Sequence, residues 1–72
     1  MFNMFDDVHI QNTERKFIRF DDKQFICDLV HMGTHYLCRG ENIKTKEFTD
    51  WIKIEELNNP QYAFGAYLKE NY

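Results

Sequence analysis

Residues Lys16 to Arg39 read KFIRFDDKQFICDLVHMGTHYLCR, and this stretch decides the fold. It holds three runs rich in Phe, Ile, Val, Tyr and Leu. Asp21-Asp22-Lys23 separates the first two, and His31-Met32-Gly33 the last two. Aromatic and β-branched runs of this length, bounded by turn residues, predict β-strands. Links this short join strands as an antiparallel meander.

The first hairpin pairs Lys16–Phe20 with Gln24–Val30. A two-residue turn at Asp22-Lys23, or a four-residue loop from Asp21 to Gln24, sets Phe20 opposite Phe25 and Ile18 opposite Cys27. Ile18, Phe20, Phe25, Cys27 and Leu29 then share one face, which is uniformly apolar. Phe17, Arg19, Ile26, Asp28 and Val30 share the other, which is mixed. A slip of one residue would exchange the faces of one strand and destroy this separation.

In the second hairpin two principles conflict. The apolar pattern favours a turn centred on Met32-Gly33, with Cys27 opposite Cys38 and Leu29 opposite Tyr36. Turn chemistry objects, because the first position of a two-residue turn needs a positive φ that Met resists. A three-residue loop suits Gly33 but shifts the register by one. Burial outweighs local turn preference, and a four-residue loop from His31 to Thr34 satisfies both arguments.

Downstream, Gly40-Glu41-Asn42 is expected to end the third strand. Residues 48–57, FTDWIKIEEL, suit a fourth strand from about Asp50 to Glu55, although Phe48, Trp51 and Ile52 also fit helical spacing. Asn59-Pro60 starts a helix, with Asn as N-cap and Pro at the first helical position. Pro60, Ala63, Phe64, Tyr67 and Leu68 form its apolar stripe. Upstream, Val8–Gln11 suits a short strand, Phe2 and Phe5 plug the core edge, and Asn12-Thr13-Glu14 reads as a turn. The expected fold is α+β: one domain over residues 1–72, a small antiparallel sheet of three or four strands with the C-terminal helix packed on one face.

A chain of 72 residues has little surface to bury, and seven Phe, four Tyr and one Trp supply it. No apolar run is long enough for a transmembrane helix. The N-terminus has no basic region followed by an apolar stretch, so a signal peptide is not expected and a cytoplasmic location is. The net charge of -3 argues against a general nucleic-acid binder. Phe, Tyr, Met, Ile, Asn and Lys heavily outnumber Gly, Ala, Arg and Pro. That skew suggests an AT-rich genome, which a phage, a virus or an AT-rich bacterium can supply.

Cys27, His31, His35 and Cys38 have the spacing C-x3-H-x3-H-x2-C. On a helix, Cys27, His31 and His35 would share a face and suit zinc. On extended strands Cys27 and His31 lie about 13 Å apart, at ~3.3 Å per residue. No metal or other cofactor is therefore expected. Both thiols read as buried and reduced. Nothing links an acid, a base and a nucleophile, and Gly33, Gly40 and Gly65 make no phosphate loop. The expectation is no enzyme.

The mixed face is the candidate site. Its partner-binding residues are Phe17, Arg19, Ile26, His35, Leu37 and Arg39. Arginine and aromatic side chains among apolar neighbours are what protein interfaces favour. The leading expectation is a small protein-binding module, of the kind with which a phage or viral factor modulates a host protein. Homodimerisation is compatible with it. The alternative is a single-stranded nucleic-acid binder stacking bases on the same face.

Overall fold

The computed structural model describes residues 13–72, so the expected strand at Val8–Gln11 and the Phe2 and Phe5 plug lie outside the described residues. Four strands form one antiparallel sheet in sequence order: β1 Thr13–Phe20, β2 Lys23–His31, β3 Tyr36–Asn42 and β4 Ile52–Ile54. One helix, α1 (Pro60–Asn71), follows and packs on the sheet. The architecture is the α+β meander expected from the sequence.

Both hairpins keep the expected faces but move in register by two residues. In the first, the turn is Asp21-Asp22, one residue earlier than expected, and it sets Phe20 opposite Lys23 and Ile18 opposite Phe25. Asp21 takes the positive φ, 52°, which Asp tolerates better than most residues. The earlier turn leaves both carboxylates in solvent and returns Lys23 to the strand, where its ammonium donates to the main-chain oxygen of Tyr72. The expected turn at Asn12-Thr13-Glu14 is absent at Thr13 and Glu14, which pair with Val30 and Leu29 as the start of β1.

In the second hairpin the loop is four residues, Met32 to His35, and His31 faces Tyr36. Gly33 has φ 98°, and the Met32 N–H donates to the His35 carbonyl at 2.9 Å. Leu29 therefore lies opposite Cys38, and Cys27 opposite Gly40. An even shift leaves every side chain on its expected side. The third strand does not end at Gly40. It runs on to Asn42, because Thr49 takes over as partner: the Gly40 N–H donates to the Thr49 hydroxyl at 3.0 Å, and the Thr49 N–H to the Gly40 carbonyl at 2.8 Å.

The core lies between the apolar face and α1. Phe25, Cys27, Leu29, Cys38, Ile54, Phe64 and Leu68 are buried in one cluster, with Ile18, Phe20, Tyr36, Ile52, Ala63 and Tyr67 packed around it. The Asn59 carboxamide accepts from the Tyr62 N–H at 3.3 Å, closing the helix N-terminus, and Pro60 occupies the first turn. Residues 52–54 are strand, not helix.

Candidate functional site

The second face of the sheet is built in rows across the strands. Phe17, Ile26, Glu41 and Phe48 make one row. Arg15, Asp28 and Arg39 make the next, and the β3–β4 register continues it to Trp51. Val30, Leu37 and Lys53 make a third. The helix covers the opposite face, and no described strand or helix covers this one.

Strict alternation along residues 48–54 would put Phe48 and Trp51 on opposite sides of the sheet. Both nevertheless flank Arg39. The pairing Glu41 with Phe48 and the pairing Cys38 with Ile52 differ in register by one residue. The extra residue behaves as a bulge, and it turns both rings to the same side. A tight Asn42–Glu47 connection holds the arrangement. The Asn42 carboxamide accepts from the N–H groups of Lys44 and Thr45 at 2.9 and 3.0 Å. The Asn42 N–H donates to the Glu47 carbonyl at 2.9 Å, and Lys46 has φ 68°.

The product is a stacked triad. The Arg39 guanidinium carbon lies 4.6 Å from the Phe48 ring centroid and 4.7 Å from that of Trp51. Both are cation–π distances. The stack buries Nε of Arg39 without a hydrogen-bond partner. Among the described residues Arg39 makes no ion pair; its cross-strand neighbour Asp28 is engaged by Nε of Arg15 at 3.1 Å instead. Two rings thus contact a cation that forms no ion pair among the described residues. Phe48 is 56% exposed, Trp51 40% and Phe17 52%.

Of the residues expected from the sequence, the structure brings Phe17, Ile26, Leu37 and Arg39 together on this face. Arg19 shares the face but sits one row outside them, opposite Gln24. The register shift therefore places Arg15 opposite Asp28, where the expected register puts Phe17, and sets Ile26 between Phe17 and Glu41, where it puts Arg19 and Arg39. His35 is not on the face at all. It closes the β2–β3 loop, with Nδ1 2.9 Å from the Thr34 hydroxyl. Phe48 and Trp51 are the residues that sequence reasoning missed. The signal was there, two large aromatics beside charged residues, but the bulge that unites them leaves no mark in an alternation pattern.

Among the described residues, Cys27, Cys38, His31 and His35 do not converge. Cys27 and Cys38 are free thiols buried under the helix, while His31 is exposed at the end of β2 with its ring 4.9 Å from that of Tyr36. Burial pushes both thiols up to about 12; for Cys27 the neighbouring Cys38 and Asp28 add to the effect. Compared with known protein families, curated proteins and solved structures, the chain matches none.

Proposed function

We propose that the chain is a small, non-enzymatic, cytoplasmic protein-binding module whose contact surface is the second face of the sheet. The Phe48–Arg39–Trp51 stack supports this reading best. Interface hot spots combine aromatic rings with arginine in a pre-organised centre, surrounded by apolar side chains. Here the rings hold the guanidinium in advance, so a partner would spend little entropy ordering it. Ile26, Leu37 and Phe17 supply the apolar surround. A phage or viral factor acting on a host protein remains the role that fits the small size and the codon skew.

Exposed aromatics beside Arg15, Arg39 and Lys53 favour a second reading, single-stranded nucleic acid stacked on the sheet. Glu41 and Asp28 weigh against it. They stand within the same two rows as the rings and would repel a phosphate backbone.

Co-purification from a bacterial lysate separates the two, using the intact chain beside Arg39→Glu and Phe48→Ala/Trp51→Ala variants. A specific protein band lost from both variants supports the protein-binding reading. Nucleic acid that elutes with salt, without a protein band, supports the second. A band retained equally by all three would remove this face from consideration.

A further inference from the structure

Thr49 is the only polar side chain buried among the described residues, 5% exposed, and it lies in sequence between Phe48 and Trp51. Phe48 bridges to Glu41, and Ile52 pairs with Cys38. Residues 49–51 therefore face only Arg39 and Gly40, and the extra residue is the bulge that turns both rings to one side.

Facing residues of a hydrogen-bonded antiparallel pair exchange two main-chain bonds. Gly40 and Thr49 make one of them, from the Thr49 N–H to the Gly40 carbonyl at 2.8 Å. The Gly40 N–H donates instead to the Thr49 hydroxyl at 3.0 Å, and that hydroxyl donates onward to the Asp50 carbonyl at 2.8 Å. A side-chain oxygen thus stands in the ladder where a main-chain carbonyl would. It satisfies a buried N–H while the chain steps out of the ladder, to rejoin it at Ile52. Without the hydroxyl, the Gly40 N–H would be left buried and unpaired. The chain escapes that cost by restoring the main-chain pair, which removes the bulge.

We propose that Thr49 is the positioning residue of the aromatic stack: its hydroxyl holds the bulge that brings Phe48 and Trp51 onto Arg39. It acts through the two rings, by fixing the backbone that carries them. With the bulge lost, strict alternation returns and the rings part to opposite sides of the sheet. Valine has the same shape and would fill the same buried space, so packing alone does not call for a hydroxyl here. The positioning stands on these hydrogen bonds, and only its consequence for binding rests on the protein-binding reading.

The test compares Thr49→Ser, which keeps the hydroxyl, with Thr49→Val, which keeps the shape without it, both in the full chain. The readouts are the NMR ring-current shifts of the Arg39 side-chain protons and the Trp51 emission, which lowered stability alone would not move in the folded protein. The wild type and Thr49→Ser should share upfield Arg39 shifts and one emission maximum. In Thr49→Val those shifts should collapse and the emission should move as it does in Arg39→Ala. A stack kept in Thr49→Val, or lost equally in Thr49→Ser, would overturn the proposal. Should Thr49→Val not fold, the wild-type chain decides: three-bond couplings must hold Thr49 in one rotamer, and the Gly40 amide must resist hydrogen exchange. Rotamer averaging or a fast-exchanging Gly40 amide would overturn it. On the protein-binding reading, Thr49→Val should also weaken partner capture by about tenfold or more. Undiminished capture with the stack lost would support the positioning and count against that reading instead.

Discussion

Gly40 lies directly opposite Cys27 across the β2–β3 ladder, and the core closes on its missing side chain. A Cβ at position 40 would sit 3.2 Å from the Cys27 sulfur and 3.3 Å from Cδ2 of Phe25, both belonging to buried side chains. Gly40→Ala should therefore destabilise the fold by about 1–3 kcal/mol, the usual penalty for overpacking. Cys27→Ala removes one of the two obstacles. The double variant should then lose less than the sum of the singles, because contacting sites do not add. Urea denaturation of the four proteins closes this cycle, and strict additivity would show that the contact is relaxed without strain.

What the sequence revealed and what it hid follow from the same physics. Apolar alternation specifies a face, and a face survives any even shift of register. Hence Ile18, Phe25, Cys27, Leu29 and Cys38 could be assigned to the core although each hairpin turned a residue away from the expected place. Turn position was harder to read, because Asp21, Asp22 and Lys23 all suit solvent. Gly40 was misread as a strand end because glycine breaks strands in general. Here Thr49 supplies its hydrogen bonds and Cys27 requires its small size. The start of the helix and its buried stripe were legible, since Asn59, Pro60 and Phe64–Leu68 are local signals. The aromatic stack was not, because it depends on one extra residue between Phe48 and Ile52.

Phe64 is fully buried on the helix stripe, stacked 6.1 Å from Tyr67. Its truncation to Ala should destabilise by about 3–5 kcal/mol, a large share of what a small domain possesses. Tyr62, on the same helix but 73% exposed, is the control: Tyr62→Ala should stay within about 0.5 kcal/mol. Thermal melts by circular dichroism would show the difference. Equal melting temperatures for the two variants would mean that the helix contributes little to the fold.

The two core thiols make stability fall at alkaline pH. Each has an ordinary value of 9.0 and is pushed up to about 12 in the fold. Between those limits the unfolded chain has released the proton that the native chain retains. Stability is therefore unaffected by these groups below about pH 9 and declines above it, by about 1.4 kcal/mol per thiol per pH unit. A Cys27→Ala/Cys38→Ala variant, though weaker overall, should show a flatter decline. Denaturation midpoints from pH 8 upward would measure it, with parallel curves counting against the assignment. At neutral pH the thiols should react with iodoacetamide only as fast as the chain opens.

Arg39 and Arg19 share a sheet face yet should respond differently to truncation. Arg19 is exposed, pairs with no carboxylate among the described residues and should tolerate Ala within about 0.5 kcal/mol. Arg39 lies over two rings, and its removal takes that contact from both. Cation–π contacts contribute roughly 0.5–1 kcal/mol each at exposed sites, so Arg39→Ala should cost about 1–2 kcal/mol. Lysine should not restore it, because an ammonium lacks the planar group that stacks between two rings. Trp51 is the only tryptophan, so its emission reports on that contact directly. Arg39→Ala should shift that emission while Arg19→Ala leaves it unchanged. If the stack is the centre of a protein contact, Arg39→Ala should also weaken binding by at least about 2 kcal/mol, beyond what stability alone explains. Phe48→Ala should then produce a comparable loss, because it frees the guanidinium without removing its charge. A binding defect in Arg39→Ala alone would assign the effect to charge. A defect shared with Phe48→Ala would assign it to the fixed direction of the cation, the property that the bulge at residues 49–51 creates.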